Sequence, residues 1–519
     1  MRSRSFFIGT LILALAAGIN RLMGFVFQAA VYRLIGPEGI GLFNLVYPVY
    51  ILILIITTAG IPLAVSKMVA QHLAQNNFRA IKKIFRVALF LVFFSSIFFT
   101  TVTLVLFPYL VKYIFYDPRV SLCFAATIPG IFIVSLSSVF RGYFQGLHDM
   151  APTATAQVIE QVIRITSGLL LAYYLLPRGI TLAATGIAAS GIIGEFFGFG
   201  ALIVMYLKRH RGGLSGSGAY LRTKYILHEF FNLCAPITAG RFISTLLVSV
   251  DAFVIPRRLA AAGLTSVEAT KTFGQFTGVA LTLISIPTLL TISLATSLVP
   301  AIADAEAKNN LTLLRSRSDD AIRVTFLAAL PFCLYFYLFA QELTQYIFNA
   351  PEVAGLVRIL CLGAPFLYII QTTTGILQGL GKPLVPVKNM IISSVLKLAG
   401  IWLLTANPNL SIRGTAYSFV LFFVSAASLN IMSLARLSRF HLPRGVTLSK
   451  SGLAILCLCL VSAILRQLCL TWDLWQPVSL VIIAILGFLI YFFILLLTGL
   501  ITRQDIRRFS FLRKYLPFQ

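Results

Sequence analysis

A chain of 519 residues with 58% hydrophobic and only 11% charged side chains, and a mean hydropathy of +0.91, lacks the polar surface of one or several water-soluble domains. It reads as an all-α, polytopic membrane protein. A hydrocarbon core about 30 Å thick takes about 20 apolar residues per helix, and runs of that length recur along the whole chain.

Fourteen segments follow in order: 6–31, 41–66, 84–107, 121–145, 153–176, 182–207, 226–256, 273–300, 321–340, 352–378, 389–405, 413–437, 453–470 and 477–501. The first apolar run starts at Phe6 and continues past Tyr32, too long for a cleaved signal peptide, so it is expected to stay as the first helix. Connections are short. The longest candidates for an extramembrane element, 208–224, 257–272 and 301–320, are too small to bury a core of their own. The basic, Gly/Ser-rich stretch KRHRGGLSGSGAYLRTK at 208–224 suits a flexible cytoplasmic linker. Pro48, Pro62, Pro129, Pro236, Pro287, Pro300 and Pro365 fall within or at the ends of predicted helices and predict kinks there. The seven cysteines all lie in apolar runs and read as small packing residues.

The net charge of +26 is distributed as topology rather than as a nucleic-acid face. With the N-terminus inside, the tails and cytoplasmic connections hold 26 of the 42 lysines and arginines and the opposite loops hold 8. The positive-inside rule then places both termini in the cytoplasm, with anionic membrane lipids as the partner of most of this charge.

An internal repeat organises the chain. FRGYFQGLHDMAPTATAQVIEQVIR at 140–164 has a fainter copy, GILQGLGKPLVPVKNMIISSVLK, at 375–397. Aligning Gln145-Gly146 with Gln378-Gly379 sets Arg164 on Lys397, and Gly36 and Pro62 match Gly274 and Pro300 at a similar offset. The expectation is two six-helix lobes, residues 1–225 and 226–450, followed by two further helices and a basic tail at 451–519. Halves with an even number of helices insert in the same orientation, related by an axis along the membrane normal and enclosing a central cavity.

Eight cations lie inside predicted spans: Arg21, Lys67, Arg141, Arg164, Arg241, Arg358, Lys397 and Arg466; the acids are Glu160, Glu195 and Asp251. A cation at the bilayer centre costs at least ~3 kcal/mol, so depth selects candidates. Lys67, Arg141, Arg358 and Arg466 lie near segment ends, where snorkelling to the headgroups is the default reading; Lys67 and Arg141 are also candidates for a cytoplasmic entrance. Arg21, Arg164, Arg241 and Lys397 lie deep and form two symmetric pairs, Arg21 with Arg241 and Arg164 with Lys397. They predict a cavity of positive potential for an anionic substrate, since guanidinium forks suit phosphate oxygens. Glu160, Glu195 and Asp251 are the candidates for ion coupling or charge balance; Glu160 precedes Arg164 by one helical turn, the favourable direction for an ion pair.

No Walker A motif, HExxH or metal-ligand cluster is present, and the five histidines are scattered. Catalytic residues, metals and cofactors are therefore not expected, and an enzyme is disfavoured.

GPEGIGLFNLVYPVYILILIITTAGIPLAVSK at 36–67 and the 140–164 stretch resemble the stage V sporulation protein B group of polysaccharide transporters, in the multidrug/oligosaccharidyl-lipid/polysaccharide (MOP) exporter superfamily. The resemblance implies alternating access in the bacterial cytoplasmic membrane. It further implies movement of a lipid-linked cell-envelope precursor to the outer leaflet and a link to spore cortex peptidoglycan and its synthesis proteins. The related lipid II flippase MurJ carries two arginines six residues apart on its first helix. Here Arg21 keeps the first and Phe27 stands at the second, while MurJ's further cavity arginines fall near Leu52 and Thr282. Two other readings remain: a cation-coupled multidrug antiporter using Glu160 and Glu195, and a non-transporting assembly scaffold.

Overall fold

The computed structural model describes residues 2–210, 220–308, 310–438, 458–465, 467 and 476–498. Arg466, Cys457, Cys469 and half of the predicted segment 453–470 lie outside them, as do most of the 208–224 linker and the basic stretches 439–450 and 502–519. The described residues are helical and contain no strand, and 12 of their helical stretches are long and apolar enough to cross a membrane. The first of these, Ala16–Ala74, has 59 residues, enough for two passes.

The first half of the chain begins with α1 (Arg2–Thr58), bent at Gly36, whose φ of 70° precedes Pro37. A residue before proline is driven out of the α region, and glycine adopts positive φ without a Cβ penalty. The predicted segment 41–66 is broken rather than kinked: Ala59 and Gly60 have φ of 41° and 69°, and Pro62 sits in the first turn of α2 (Ile61–Ala74). Proline is tolerated there because its missing N–H would have no helical partner. Then come α3 (Phe78–Tyr113), α4 (Val120–Gly146), α5 (Ala151–Leu175), α6 (Ile180–His210) and α7 (Thr223–Ala261).

The predicted segment 273–300 is likewise composite. It comprises the end of α8 (Ser266–Gln275), a π-helical turn at Phe276–Ala280, α9 (Leu281–Ser285), and α10 (Thr288–Ala307), which Pro287 precedes. A capping box between Thr265 and Glu268 starts α8, so most of the expected 257–272 loop is helix. The expected 301–320 element also dissolves into the end of α10 and the start of α11 (Leu311–Leu338). The remaining long helices among the described residues are α12 (Ala354–Gly379), α13 (Leu384–Gly400, continued by a π-helical turn at Ile401–Thr405), α14 (Ile412–Ser438) and α15 (Gln476–Leu497).

Two compact units result. The first takes the chain through Val279 together with Leu398–Thr415; the second takes Ala280–Lys397 and the chain from Ala416. In the first, Phe85 of α3 packs against Phe140, Tyr143 and Tyr206 at centroid distances of 5.0, 4.7 and 4.9 Å. Gly142 and Gly146 let α4 touch α2: a Cβ on either would lie 2.4 Å from the Pro62 carbonyl oxygen or 2.7 Å from that of Ser66. In the second unit the repeat partners Gly375 and Gly379 do the same for α12 on α10, with 2.7 Å to the Ala295 carbonyl and 2.8 Å to that of Val299. Lipid removes the hydrophobic drive between helices, so close contact through small residues carries the association. The second unit also docks α15 on α11, where Tyr335 donates to the Leu480 carbonyl (2.7 Å) and Tyr491 to that of Leu327 (3.0 Å).

Cys123, Cys234, Cys333 and Cys361 are free and buried, consistent with packing roles. Phe90, Phe98 and Val105 on α3 are 60 to 67% exposed. Such a face suits contact with lipid chains.

Candidate functional site

A cluster of four charged residues joins α4, α5 and α6 in the first unit. Arg141 on α4 donates from Nη2 to Glu160 Oε2 on α5 and to Glu195 Oε2 on α6, each at 2.9 Å. Arg164, one turn beyond Glu160, donates to Glu160 Oε1 and lies 4.0 Å from Glu195 Oε1. Its Nη1 also donates to Gln161 Oε1 at 3.3 Å. Glu195 can reach the cluster because α6 presses on α5 through glycine: a Cβ on Gly194 would fall 2.6 Å from the Glu160 carbonyl oxygen. Two guanidinium groups thus face two carboxylates, with Glu160 itself buried. The snorkelling reading of Arg141 fails here, because its side chain turns inward to two acids 19 and 54 residues along the chain.

The other deep cations have different surroundings. Arg21 on α1 and Arg241 on α7 are exposed, as are Lys67 on α2 and Arg358 on α12. Asp251 on α7 is buried. Lys397, in the second unit, is buried on α13 with Nζ 4.8 and 5.0 Å from the ring centroids of Phe419 and Phe422 on α14. Aromatic faces attract a desolvated ammonium group.

Two polar assemblies escaped the sequence reading. In the second unit, Asn389 Nδ2 on α13 donates to Asn430 Oδ1 (2.9 Å) and Ser433 Oγ (3.0 Å) on α14, and Asn430 Nδ2 donates to Thr373 Oγ1 on α12 (3.1 Å). Nearby on the same helix, Thr372 shares a 2.7 Å hydrogen bond with Thr325 of α11. Isolated asparagines in apolar runs were the available signal. In the first unit, Arg119 pairs with Glu38 beside the α1 bend and donates from Nη2 to Asp117 Oδ2 (2.7 Å), while Thr270 of α8 donates to the same oxygen (2.8 Å). Burial raises the Asp117 carboxyl, but the hydrogen bonds from Arg119 and Thr270 outweigh it and hold the group below its ordinary value. Glu38, the Asp117/Arg119 pair and Thr270 come from three stretches 81 and 153 positions apart, so no local pattern announces the whole set.

Comparison with known proteins places this geometry. The profile of the family described as "Polysaccharide biosynthesis protein" matches residues 7–306, and the MatE profile matches 258–403. The chain is 30% identical to Stage V sporulation protein B of Bacillus subtilis over 518 residues, covering 98% of each. It is 25% identical to Lipid II flippase MurJ of the same organism, over 75% of each chain. Among solved structures, an inward-facing multidrug resistance MATE family transporter of the MOP superfamily aligns with a TM-score of 0.65 at 16% identity, over 81% of this chain and 99% of that one. MurJ in an inward closed conformation aligns with 0.63 at 14% identity, over 93% and 98%. The latter two matches carry the fold alone. The chain belongs to the polysaccharide biosynthesis protein family, as a multi-pass, stage V sporulation protein B-like member of the MOP exporter superfamily related to MurJ.

Proposed function

We propose that this protein is a flippase. It carries a lipid-linked anionic cell-envelope precursor of the undecaprenyl-diphosphate type across the bacterial cytoplasmic membrane by alternating access, for spore cortex or cell-wall synthesis. Both termini are cytoplasmic in this reading, and cell-wall synthesis proteins receive the product. Arg21, Arg164, Arg241 and Lys397 bind or attract the headgroup, with Lys67 and Arg141 near the cytoplasmic entrance, while the lipid tail stays among the helices.

The observation that carries the proposal is how the acids are used. Glu160 and Glu195 already accept from Arg141 and Arg164, so the two acids that an organic cation would need are engaged by guanidinium groups, and the predicted spans carry eight cations against three acids. An excess of positive potential favours a diphosphate over an organic cation. The same pairing lowers the rank of Arg164, whose charge is balanced locally.

The test is translocation of a fluorescent polyprenyl-diphosphate saccharide in proteoliposomes. R21Q, R241Q and K397M are each expected to lower the rate at least tenfold. Intact flipping in all three and in R164Q would sink the cationic-cavity mechanism. The antiporter reading draws support from the two clustered carboxylates; organic-cation efflux that needs Glu195 and survives R21Q and R241Q would put it first.

A further inference from the structure

Beside each other at the end of α7, Arg257 and Arg258 hold the ends of two different helices. Arg257 Nη2 donates to the carbonyl of Tyr113, the last residue of α3, at 2.6 Å, and its guanidinium lies 3.5 Å from the Phe253 ring centroid. Arg258 donates from Nε and Nη2 to the Trp402 carbonyl at 3.1 and 2.8 Å and stacks 4.1 Å from the Trp402 ring centroid. The last four carbonyls of a helix have no partner within it, and arginine there also complements the negative end of the helix dipole. Trp402 lies within that last stretch, in the π-helical turn Ile401–Thr405.

What makes the second contact more than a cap is where its partner belongs. Leu398–Thr415 packs with the first unit, although α13 up to Lys397 and α14 from Ala416 belong to the second. This hairpin is stiff within itself. Thr405 and Thr415 hydroxyls bond at 2.8 Å, and a Cβ on Gly414 would lie 2.5 Å from the Leu404 carbonyl oxygen. These contacts tie its two arms together, and α13 runs into it through the π-helical turn, a common site of functional distortion in helices.

We propose that Arg258 is a positioning residue for the transport cycle: a latch that keeps the 398–415 hairpin on the first unit and releases the Trp402 carbonyl as the protein changes state. The transport half of this statement rests on the flippase reading; the latch itself does not.

Hydrogen–deuterium exchange on the full chain in lipid nanodiscs separates the two arginines. R258A is expected to raise exchange at 399–411 roughly tenfold and spare 111–116. R257A is expected to do the reverse, and R258K, which keeps the charge but loses the fork, to fall between wild type and R258A. Unchanged exchange at 399–411 in R258A, or equal loosening of both segments by either variant, overturns the latch, since the arginines would then merely stiffen the end of α7. In the wild type, adding a polyprenyl-diphosphate disaccharide is expected to speed exchange at 399–411; no response while that lipid is being flipped removes the latch from the cycle. If the crossed pattern holds but the wild type flips nothing, the flippase reading fails and the latch stands.

Discussion

The polar cores of the two units solve one problem in opposite ways. In the first, α4, α5 and α6 are joined by charge: Arg141 and Arg164 against Glu160 and Glu195. In the second, α12, α13 and α14 are joined by neutral groups, Asn389, Asn430, Ser433 and Thr373, and the one cation at the repeat position, Lys397, rests on aromatic rings. The helix packing beneath is shared, since Gly142 and Gly146 correspond to Gly375 and Gly379 and make equivalent contacts. Backbone geometry has been kept across the duplication while the chemistry of the interior diverged. An ionic core is highly sensitive to loss of one partner, whereas a neutral amide network degrades in small steps.

That difference is measurable. The largest effect is expected from R141A, which leaves Glu160 and Glu195 to share Arg164 alone; breaking a buried pair costs about 3–5 kcal/mol, read as reduced stability to thermal or denaturant unfolding in detergent. E195Q combined with R141A should recover part of the loss, and no recovery would mean that Arg141 stabilises by packing instead. N389A comes next, at about 1–3 kcal/mol, because it removes the donor to Asn430 Oδ1 and Ser433 Oγ, while Asn430 keeps Thr373 and Ser433 keeps the Leu429 carbonyl. If N389A costs as much as R141A, the contrast between ionic and neutral cores is wrong. K397M preserves length and apolar contact and removes the cation, and the cation–π attraction to Phe419 and Phe422 is worth at most about 2 kcal/mol. A small stability change with a large drop in flipping would mark Lys397 as functional rather than structural.

The smallest effect concerns pH. Asp117 is held below its ordinary value by Arg119 and Thr270, so its contribution is fully present above the usual carboxylate range and is lost as pH falls through its lowered native value. Stability of the first unit should decline on acidification into that range, and D117N should flatten that part of the profile. An unchanged acid limb in D117N would show that Asp117 does not govern it.

Much of the site was legible because some signals are local. Glu160 and Arg164 are one helical turn apart, so their pairing could be read from spacing, and Lys397 could be matched to Arg164 through the Gln-Gly landmarks of the repeat. Arg141 was misjudged because distance from a helix end says nothing about which way a side chain turns. Its inward direction depends on Glu195, delivered by the approach of α6 to α5 at Gly194. Asn389 with Asn430, and Asp117 with Thr270, are pairs of the same long-range kind.

Hydropathy and residue periodicity by themselves determined that this chain is a helical membrane protein with an internal repeat, because the bilayer imposes span length and full backbone hydrogen bonding on any sequence that enters it. Tertiary structure decided where spans break, as at Ala59–Gly60 and Ile286–Pro287, which charges neutralise one another, and that residues 398–415 pack with the first unit. Those outcomes depend on side chains brought together from distant positions, and a hydropathy profile carries no information about partners.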